Sequence, residues 1–403
     1  MKAGWTTAPL GELCEFQRGL TYAKNDEVPE SDVVVLRANN VDLETNTLDL
    51  SDLRYIANSV NVPKDKKVKK DSLLICTASG SKSHLGKVAF IDDDYGYAFG
   101  GFMGQITPKP QMDGRYLFHV MTSPAYKDFI SALSDGANIN TLKFNDLRNF
   151  QVAIPTIAEQ RRIVTLLDDA FADIVTVKAN AEKNLQNARE LFNSHLDAII
   201  FHAQENGKTV PLSELATDIT DGDHMPPPKA EQGLPFITIG NIDKQKRTID
   251  FSDTFKVPRE YFDALKANKK PMRGDVLYTV TGSFGIPVLV EDDKEFCFQR
   301  HIGLIRPKAD VDSTWLHYLL QSPQVFNQAS DGATGTAQKT VSLKVLRNLQ
   351  VPRISPKEQS AHVVSLRNVE RECRRLESIY GQKLTALDEL KKSLLHQAFS
   401  GQL

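Results

Sequence analysis

The sequence has little of several features that mark specialised classes of protein. Only four of its 403 residues are cysteines, and no two of them form a C-x-x-C pair. This usage predicts unpaired, mostly buried thiols in a reduced compartment, and it excludes a disulfide-stapled secreted domain. No apolar run approaches the roughly 18–20 residues of a membrane span, and the N-terminus lacks an apolar signal core. We therefore expect a cytoplasmic protein without a membrane partner.

Neither sign of charge dominates the chain. Lys and Arg number 49 against 51 Asp and Glu, which gives a formal net charge of −2. A hydrophobic content of 41% and a charged content of 25% are typical of an ordinary globular protein, and the length predicts two or three domains. A strongly basic chain is excluded, so any binding of nucleic acid must depend on local patches or on partners.

Motifs that carry catalysis are also missing. Residues 80–88 resemble a phosphate loop only loosely, because five residues separate the two glycines and Val88 stands where Ser or Thr should bind magnesium. Residues 225–228 lack the flanking Asn or Asp and the aromatic of an amino-methyltransferase motif, and residues 291–294 are typical of a solvated turn. The nine histidines show no zinc spacing. We expect no catalytic residue, no metal site and no cofactor bound by this chain.

What the sequence does contain is a long stretch, residues 158–203, without any Gly or Pro. Its apolar residues recur at steps of three or four, which predicts one helix with a continuous apolar stripe. That helix would be roughly 65–70 Å long, too long to bury its stripe in one domain, so it needs a second long helix beside it. The stripe consists of Ile163, Leu167, Ala170, Ile174, Val177, Ala181, Leu185, Ala188, Phe192, Leu196 and Ile199.

Residues 357–399 supply that second helix. Their apolar positions fall on the first stripe at an offset of 199 residues, as between Leu167 and Leu366 or Leu196 and Leu395. Polar positions repeat at the same offset, since Ser194 matches Ser393. Gly381 interrupts the second helix at a cost of about 1 kcal/mol relative to Ala and is compatible with a bend there.

The parts before each helix repeat one another as well. Short apolar runs bounded by Gly, Asn, Asp and Pro predict strands and turns in both, and residues 116–133 are helical in pattern with Pro124 at a boundary. Residues 147–152 (LRNFQV) match residues 346–351 (LRNLQV), while the loops between such matches differ. The chain is therefore an internal duplication in the order domain, helix, domain, helix. A duplicated scaffold with different loops suits two different binding faces.

We accordingly predict an α+β protein with two domains of irregular sheet, separated by two long antiparallel helices that form a coiled-coil-like spacer. The internal repeat gives it pseudo-two-fold character. The expected boundaries are 1–156 for the first domain, 157–204 for the first helix, 205–354 for the second domain and 355–403 for the second helix.

This organisation resembles HsdS, the DNA specificity subunit of type I restriction–modification systems, over the whole chain. The resemblance rests on a Pro-x-x-x-Glu-Gln start of the helix, from Pro155 to Gln160, with a variant from Pro352 to Gln359. It also rests on the long helix behind each start and on the two loop-variable domains. In the second copy the proline stands two places before the aligned position, Ile354, which puts the local geometry there in question.

The resemblance implies a function and a set of partners. Two target-recognition domains would each read half of a bipartite site on double-stranded DNA, and the helix pair would act as a ruler between them. Two HsdM methyltransferase subunits would bring S-adenosylmethionine and catalysis. HsdR, a translocase and nuclease that uses ATP and magnesium, would join for cleavage. The chain itself would be non-catalytic.

Asn, Gln, Arg, Lys, Ser and Thr on loops are the residue types that read base edges, and such residues cluster at matching places in both halves. Lys143 and Lys339 fit phosphate anchors, which position without specifying. Taken singly, each residue also fits a solvated loop, and His301 equally fits a surface or core histidine. The predicted DNA contacts are Arg18, Arg37, Asn39, Asn40, Ser79, Ser81, Lys82, Gln105, Lys143, His224, Asn241, Thr281, Ser283, Gln299, Arg300, His301 and Lys339.

Two alternatives come from other classes. A non-catalytic scaffold could bind proteins through its two lobes and use the helices to space them, and the near-neutral charge favours this slightly. An enzyme formed from two fused copies would need a catalytic motif, and none is present. A salt-dependent DNA affinity with sequence preference separates the DNA reader from the scaffold.

Overall fold

The computed structural model describes residues 4–80, 84–134, 141–224, 226–335 and 338–403. The chain divides into two compact units. Unit 1 consists of Met1–Ala181 together with Gln382–Leu403, and unit 2 consists of Glu182–Gly381. Unit 1 is therefore built from two separate stretches of sequence, whereas unit 2 is continuous.

Most of the elements that begin in unit 1 are short strands, with one short α-helix between the first two strands and the other α-helices after the ninth strand. They are β1 (Thr6–Pro9), α1 (Leu10–Leu13), β2 (Cys14–Arg18), β3 (Glu27–Val28), β4 (Val33–Leu36), β5 (Arg54–Ile56), β6 (Leu73–Cys76), β7 (Val88–Phe90), β8 (Ala98–Phe99), β9 (Met103–Pro108), α2 (Gly114–Val120), α3 (Pro124–Ser134), α4 (Phe144–Arg148), β10 (Gln151–Ile154) and α5 (Ile157–Asn206).

Three sheets form among the described residues of unit 1. The first is the antiparallel pair β1–β10, and the second has the antiparallel order β2–β9–β6–β7. The third has the order β3–β5–β4–β8, in which β4 and β8 are parallel. Strand β6 is buried along its whole length because its side chains enter cores on both faces of the sheet. As predicted, helical structure covers most of residues 116–133, and Pro124 is the first residue of α3.

Unit 2 repeats this plan. Its elements are β11 (Lys208–Pro211), β12 (Ala216–Asp221), β13 (Leu234–Ile237), β14 (Ile242–Asp243), β15 (Thr248–Ile249), β16 (Lys256–Val257), α6 (Arg259–Ala264), β17 (Val276–Thr279), β18 (Pro287–Leu289), β19 (Cys297–Phe298), β20 (Ile302–Pro307), α7 (Ser313–Gln321), α8 (Pro323–Asp331), α9 (Leu343–Asn348), β21 (Gln350–Arg353) and α10 (Pro356–Ser400).

The sheets of unit 2 match those of unit 1 in order and direction. The pair β11–β21 corresponds to β1–β10, and the antiparallel sheet β12–β20–β17–β18 corresponds to β2–β9–β6–β7. The sheet β16–β13–β19 again contains one parallel pair, β13 with β19, and the hairpin β14–β15 corresponds to the antiparallel bridge between Val41 and Leu48. The predicted α+β fold and its internal repeat are confirmed.

Helices α5 and α10 span 50 and 45 residues, and both extend through both units. In unit 1, Ile163 and Leu167 near the start of α5 share a core with Leu395 near the end of α10. In unit 2, Leu196 near the end of α5 shares a core with Leu366 near the start of α10. The two helices are therefore antiparallel, and α10 continues as a helix through Gly381.

The first long helix is fastened to its domain by a buried glutamine. Gln160 is fully buried, and its side chain makes three hydrogen bonds to backbone. Its Oε1 accepts from the Asp113 N–H at 2.8 Å, and its Nε2 donates to the carbonyl oxygens of Gln111 and Pro155 at 2.9 and 3.0 Å. These contacts join the start of α5 to the backbone of the segment before α2 and to Pro155.

The second long helix begins in the same way. Gln359 accepts from the Asp312 N–H at 2.7 Å and donates to the carbonyl oxygens of Asp310 and Ile354, both at 3.1 Å. Ile354 takes the place that Pro155 has in unit 1. The shifted proline, Pro352, therefore leaves this geometry unchanged, because the glutamine uses a backbone carbonyl and not the proline ring.

Candidate nucleic-acid interface

In unit 1, the ends of strands β2, β6 and β8 meet at one edge of the domain. The Gly19 N–H, directly after β2, donates to the Met103 carbonyl at 3.1 Å. The Thr77 N–H, directly after β6, donates to the Phe102 carbonyl at 2.9 Å, and the Leu142 N–H donates to the Thr77 carbonyl at 2.6 Å. We call the side chains that this arrangement brings together the first loop cluster: Arg18, Ser79, Phe102 and Lys143.

Beside the first loop cluster, two arginines each lie over an aromatic ring, and the two rings contact each other. The Arg18 guanidinium lies 5.8 Å from the centre of the Phe144 ring, and that ring lies 5.4 Å from the ring of Phe16. Arg148 lies 5.3 Å from the centre of the Phe16 ring on β2. Such contacts stabilise a cation over a ring while leaving its N–H donors available. Arg18, Lys143 and Arg148 are all exposed, which gives this edge local positive charge despite the neutral chain.

Unit 2 has the same arrangement at the ends of β12, β17 and β19. The Gly222 N–H donates to the Ile302 carbonyl at 3.4 Å, and the Val280 N–H donates to the His301 carbonyl at 2.9 Å. The Gly282 N–H donates to the Lys339 carbonyl at 3.1 Å. We call the side chains at this edge the second loop cluster: Asp221, His224, Thr281, Ser283, Gln299, Arg300, His301 and Lys339.

Two polar groups of the second loop cluster have side-chain partners. His224 Nε2 lies 2.8 Å from the Asp221 carboxylate, and Lys244 Nζ donates to Ser283 Oγ at 2.8 Å. Arg300 is exposed, and Lys339 is exposed as well. Burial, and then the neighbouring Arg300 charge, lower the pKa of His301, so its imidazole stays neutral to a lower pH than usual.

Two glycines allow these strand ends to approach closely. A Cβ atom on Gly19 would overlap the backbone of Gly100, and a Cβ atom on Gly222 would overlap the backbone of Phe298. The position therefore requires glycine in both units. The approach brings the turn at residues 100–103 beside β2 and the turn at residues 299–302 beside β12.

Three predicted contact residues lie inside the domains and have structural roles. Asn40 accepts from the Arg37 N–H at 2.8 Å and donates to two backbone carbonyls, and Asn241 holds the matching turn of unit 2 in the same manner. Gln105, in the middle of β9 and 1% exposed, accepts from the Lys69 N–H at 2.9 Å. The sequence predicts Gln105 in the same strand and loop region as residues 299–301, whereas the structural counterparts of residues 299–301 are residues 100–102.

The other predicted residues differ in accessibility. Arg37 is half-buried with its guanidinium 3.4 Å from Asp52, and Asn39 beside it is exposed. Ser81 and Lys82 lie outside the described residues. Phe102, Phe144 and Arg148 are not among the contacts predicted from the sequence. The internal repeat nevertheless indicates the position of Phe102. At the offset of 199 residues, Phe102 aligns with His301, which was selected.

The described residues contain neither a metal-binding cluster nor a membrane-spanning helix. No group of three or more His, Cys, Asp or Glu side chains there is placed to hold a metal ion. None of the helices in the same ranges is both long and apolar enough to cross a membrane. The four cysteines are unpaired and buried, as predicted.

A family model for the type I restriction modification DNA specificity domain matches residues 2–186 and matches again at residues 200–385. The chain belongs to this family. Its two matches coincide with the internal duplication, so each copy of the DNA specificity domain comprises one strand-rich domain and part of the long helix that follows it.

Among relatives, the chain is 26% identical to the StySPI specificity subunit of Salmonella potsdam and 26% identical to the EcoKI specificity subunit of Escherichia coli K12. Each alignment covers 99% of this chain and 89% of the relative. A solved structure concerned with complex assembly and conformational transition of the type I R-M system matches with a TM-score of 0.82 at 20% identity, over 100% of this chain and 99% of that one. HsdS from Thermoanaerobacter tengcongensis matches with a TM-score of 0.64 at 19% identity, over 100% and 98%.

This DNA specificity protein is thus a type I restriction–modification specificity subunit in both sequence family and fold. Its function is recognition of a DNA target, and the alternative of a protein-binding scaffold is not supported. The loop clusters are the places in each unit where residue types suited to that function meet.

Proposed function

We propose that each unit reads one half of a bipartite target on double-stranded DNA through its loop cluster. One observation carries this proposal. The same arrangement of strand ends occurs in both units, but the side chains at those strand ends differ. The end of β2 presents Arg18 where the end of β12 presents Asp221, and Phe102 stands where unit 2 has His301. One scaffold with two sets of loop side chains would read two different half-sites.

Within each loop cluster, side chains of different chemistry would make different contacts with the DNA. Arg300 and His301 would contact base edges in one half-site, and Arg18 would do so in the other. Lys143 and Lys339 would hold phosphates and so fix the register. The remaining predicted contacts that the structure describes are retained as polar neighbours of these groups: Arg37, Asn39, Ser79, His224, Thr281, Ser283 and Gln299. Ser81 and Lys82 stay contacts predicted from the sequence. The buried Asn40, Asn241 and Gln105 lie outside the proposed interface.

The long helices would set the distance between the half-sites and receive the catalytic partners. Two HsdM methyltransferase subunits, and HsdR for cleavage, would supply S-adenosylmethionine, ATP and magnesium, with this chain non-catalytic and in the cytoplasm. Leu191 and Leu390, which are 53% and 46% exposed on α5 and α10, would lie on the docking surface. A net charge of −2 gives little neutralisation of phosphates, so we expect weak DNA affinity that rises when the methyltransferase closes around the duplex.

The proposal is tested by changing the helices and determining the methylated sequence in cells. Four residues inserted between Ala181 and Glu182, together with four between Gly381 and Gln382, lengthen both helices by about 6 Å. Since DNA rises about 3.4 Å per base pair, we expect a gap that is longer by one or two base pairs, with both half-sites unchanged.

The matched control inserts the same four residues into the exposed turn between Asn58 and Ser59, where the gap should stay as it was. An active lengthened variant with an unaltered gap would contradict the role of the helices as a ruler. Methyl transfer by the rigorously purified chain, without a partner subunit, would overturn the non-catalytic assignment.

A further inference from the structure

Phe102 is the most solvent-exposed large hydrophobic side chain in the described residues, at 74%. It lies in the four-residue turn between β8 and β9, which is closed by a hydrogen bond of 2.8 Å from the Met103 N–H to the Gly100 carbonyl. Single apolar side chains on a surface are common, so exposure alone assigns no role. The surroundings of this side chain are more specific.

The backbone of Phe102 is held firmly while its ring extends into solvent. Its carbonyl oxygen accepts three hydrogen bonds, from the Thr77 N–H at 2.9 Å, from Thr77 Oγ1 at 2.9 Å and from the Ala78 N–H at 3.1 Å. Gly19 packs against the other side of the turn. A fixed backbone beneath an exposed ring favours binding, because the backbone loses little conformational entropy when the ring contacts a ligand.

Unit 2 presents a different side chain on the same turn. There the Ile302 N–H donates to the Gln299 carbonyl at 3.0 Å, and the His301 carbonyl accepts from the Val280 N–H. His301 takes the position of Phe102, and exposed Arg300 takes the position of Gly101. The turn therefore carries polar groups in one unit and an apolar ring in the other, so its tip differs between the units while its hydrogen bonds are alike.

We propose that Phe102 reads a thymine in the half-site bound by unit 1, through contact of its ring with the C5-methyl group. This rests on the proposed function of the loop clusters. The thymine methyl is the apolar group on the base edges of the major groove, and apolar side chains read it there. Arg18 and Lys143, which belong to the same loop cluster, are exposed and carry the positive charge that would draw the duplex to this edge.

The test removes each partner of the contact in turn. The full chain, in complex with its methyltransferase subunits, is measured against its target duplex and against duplexes in which each thymine is replaced singly by uracil, which lacks only the methyl. For the wild type we expect one uracil substitution to weaken binding about fourfold, the effect of one buried methyl group. In Phe102→Ala that substitution should have no effect, whereas Phe102→Leu should retain part of it.

Internal controls make the result specific. Thermal unfolding of Phe102→Ala should match the wild type because the ring is exposed, and thymines in the half-site affected by Arg300→Ala should show no coupling to Phe102. Three outcomes would overturn the inference if the wild type still binds DNA specifically. One is an equal uracil effect in the wild type and in Phe102→Ala, and another is a unit 1 half-site without a T·A pair. The third is loss of the methyltransferase subunits from the variant. Absence of sequence-specific binding by the wild type would instead overturn the proposed function.

Discussion

The two units of this protein share side chains that hold the backbone and differ in side chains that meet solvent at the strand ends. Gln160 and Gln359 make the same three kinds of contact, and Asn40 and Asn241 hold matching turns. At the loop clusters the correspondence ends, since Arg18 is matched by Asp221 and Phe102 by His301. The difference separates the residues that specify the fold from those that we propose to specify the DNA target.

The largest expected effect comes from replacing the strand-rich domain of unit 1. Exchanging residues 1–155 for the corresponding domain of a related subunit should change one half-site completely and leave the other as it was, because each domain has its own core. The methylated sequence in cells is the measurement. Changes in both half-sites would show that the two units do not read independently.

The shared framework predicts a large effect on stability that is similar in both units. Gln160→Ala and Gln359→Ala each remove three hydrogen bonds made by a buried side chain, so each should lower the free energy of unfolding by about 2–4 kcal/mol. Urea denaturation measures this loss. Gln186→Ala, on an exposed face of α5, is the control with little expected change. A negligible effect at one of the two buried sites would break their equivalence.

The differing loop clusters predict a smaller effect that is confined to DNA. Arg300→Ala should relax one position of the second half-site by about 1–3 kcal/mol of discrimination, because a guanidinium can donate two hydrogen bonds to guanine O6 and N7. Competition binding with single-base variants measures the change, with Lys339→Ala as a comparison that should weaken all sequences alike. A marked fall in thermal stability would identify Arg300 as a structural residue.

The smallest predicted effect is a difference in acid sensitivity. Burial, with the nearby Arg247 charge, lowers the pKa of His317 in unit 2 to about 4. Neutral His317 therefore contributes stability that is complete above its unfolded pKa of about 6.5 and is lost as the pH falls towards 4. The unfolding temperature should fall by a few degrees less between pH 7 and pH 5 in His317→Phe than in the wild type. The exposed His396 supplies the control, since His396→Phe should behave as the wild type.

In unit 1, the carboxylate of Asp168 is an acid-sensitive group of a different kind. Burial opposes ionisation of Asp168, but hydrogen bonds from His119 at 2.8 Å and Arg115 at 3.1 Å outweigh it and lower the pKa of the carboxyl. The stability that Asp168 contributes is present above its unfolded pKa and disappears only as the pH falls through the lower folded value. Mild acid should therefore loosen unit 2 before this ion pair in unit 1 is affected.

Much of the fold could be predicted from the sequence because its strongest signals are periodic and repeated. The absence of Gly and Pro predicted α5, which spans Ile157–Asn206, and the offset of 199 residues identified α10 and the duplication. Gly381 left the helix assignment intact, since one glycine costs only about 1 kcal/mol within a long packed helix.

The candidate site was less predictable, because residue type does not determine which way a side chain points. Asn40 and Asn241 have the chemistry of base readers, yet their amides hold turns inside the domains. Phe102 has the chemistry of a core residue, yet it lies at a turn tip because Gly100 and Gly101 and the adjacent strand ends fix the backbone there. Only the three-dimensional arrangement distinguishes these cases.

The division of unit 1 into two stretches of sequence has a consequence for synthesis on the ribosome. Unit 2 is continuous and can fold once Gly381 has emerged, whereas the core of unit 1 includes Leu395 and Ala398 near the end of α10. The domain that is translated first therefore cannot complete its core until the last turns of α10 have been synthesised. Until then, part of its apolar surface stays exposed. A nascent chain stalled within α10 would expose this apolar surface, and chaperones and proteases would meet unit 1 while unit 2 is already closed.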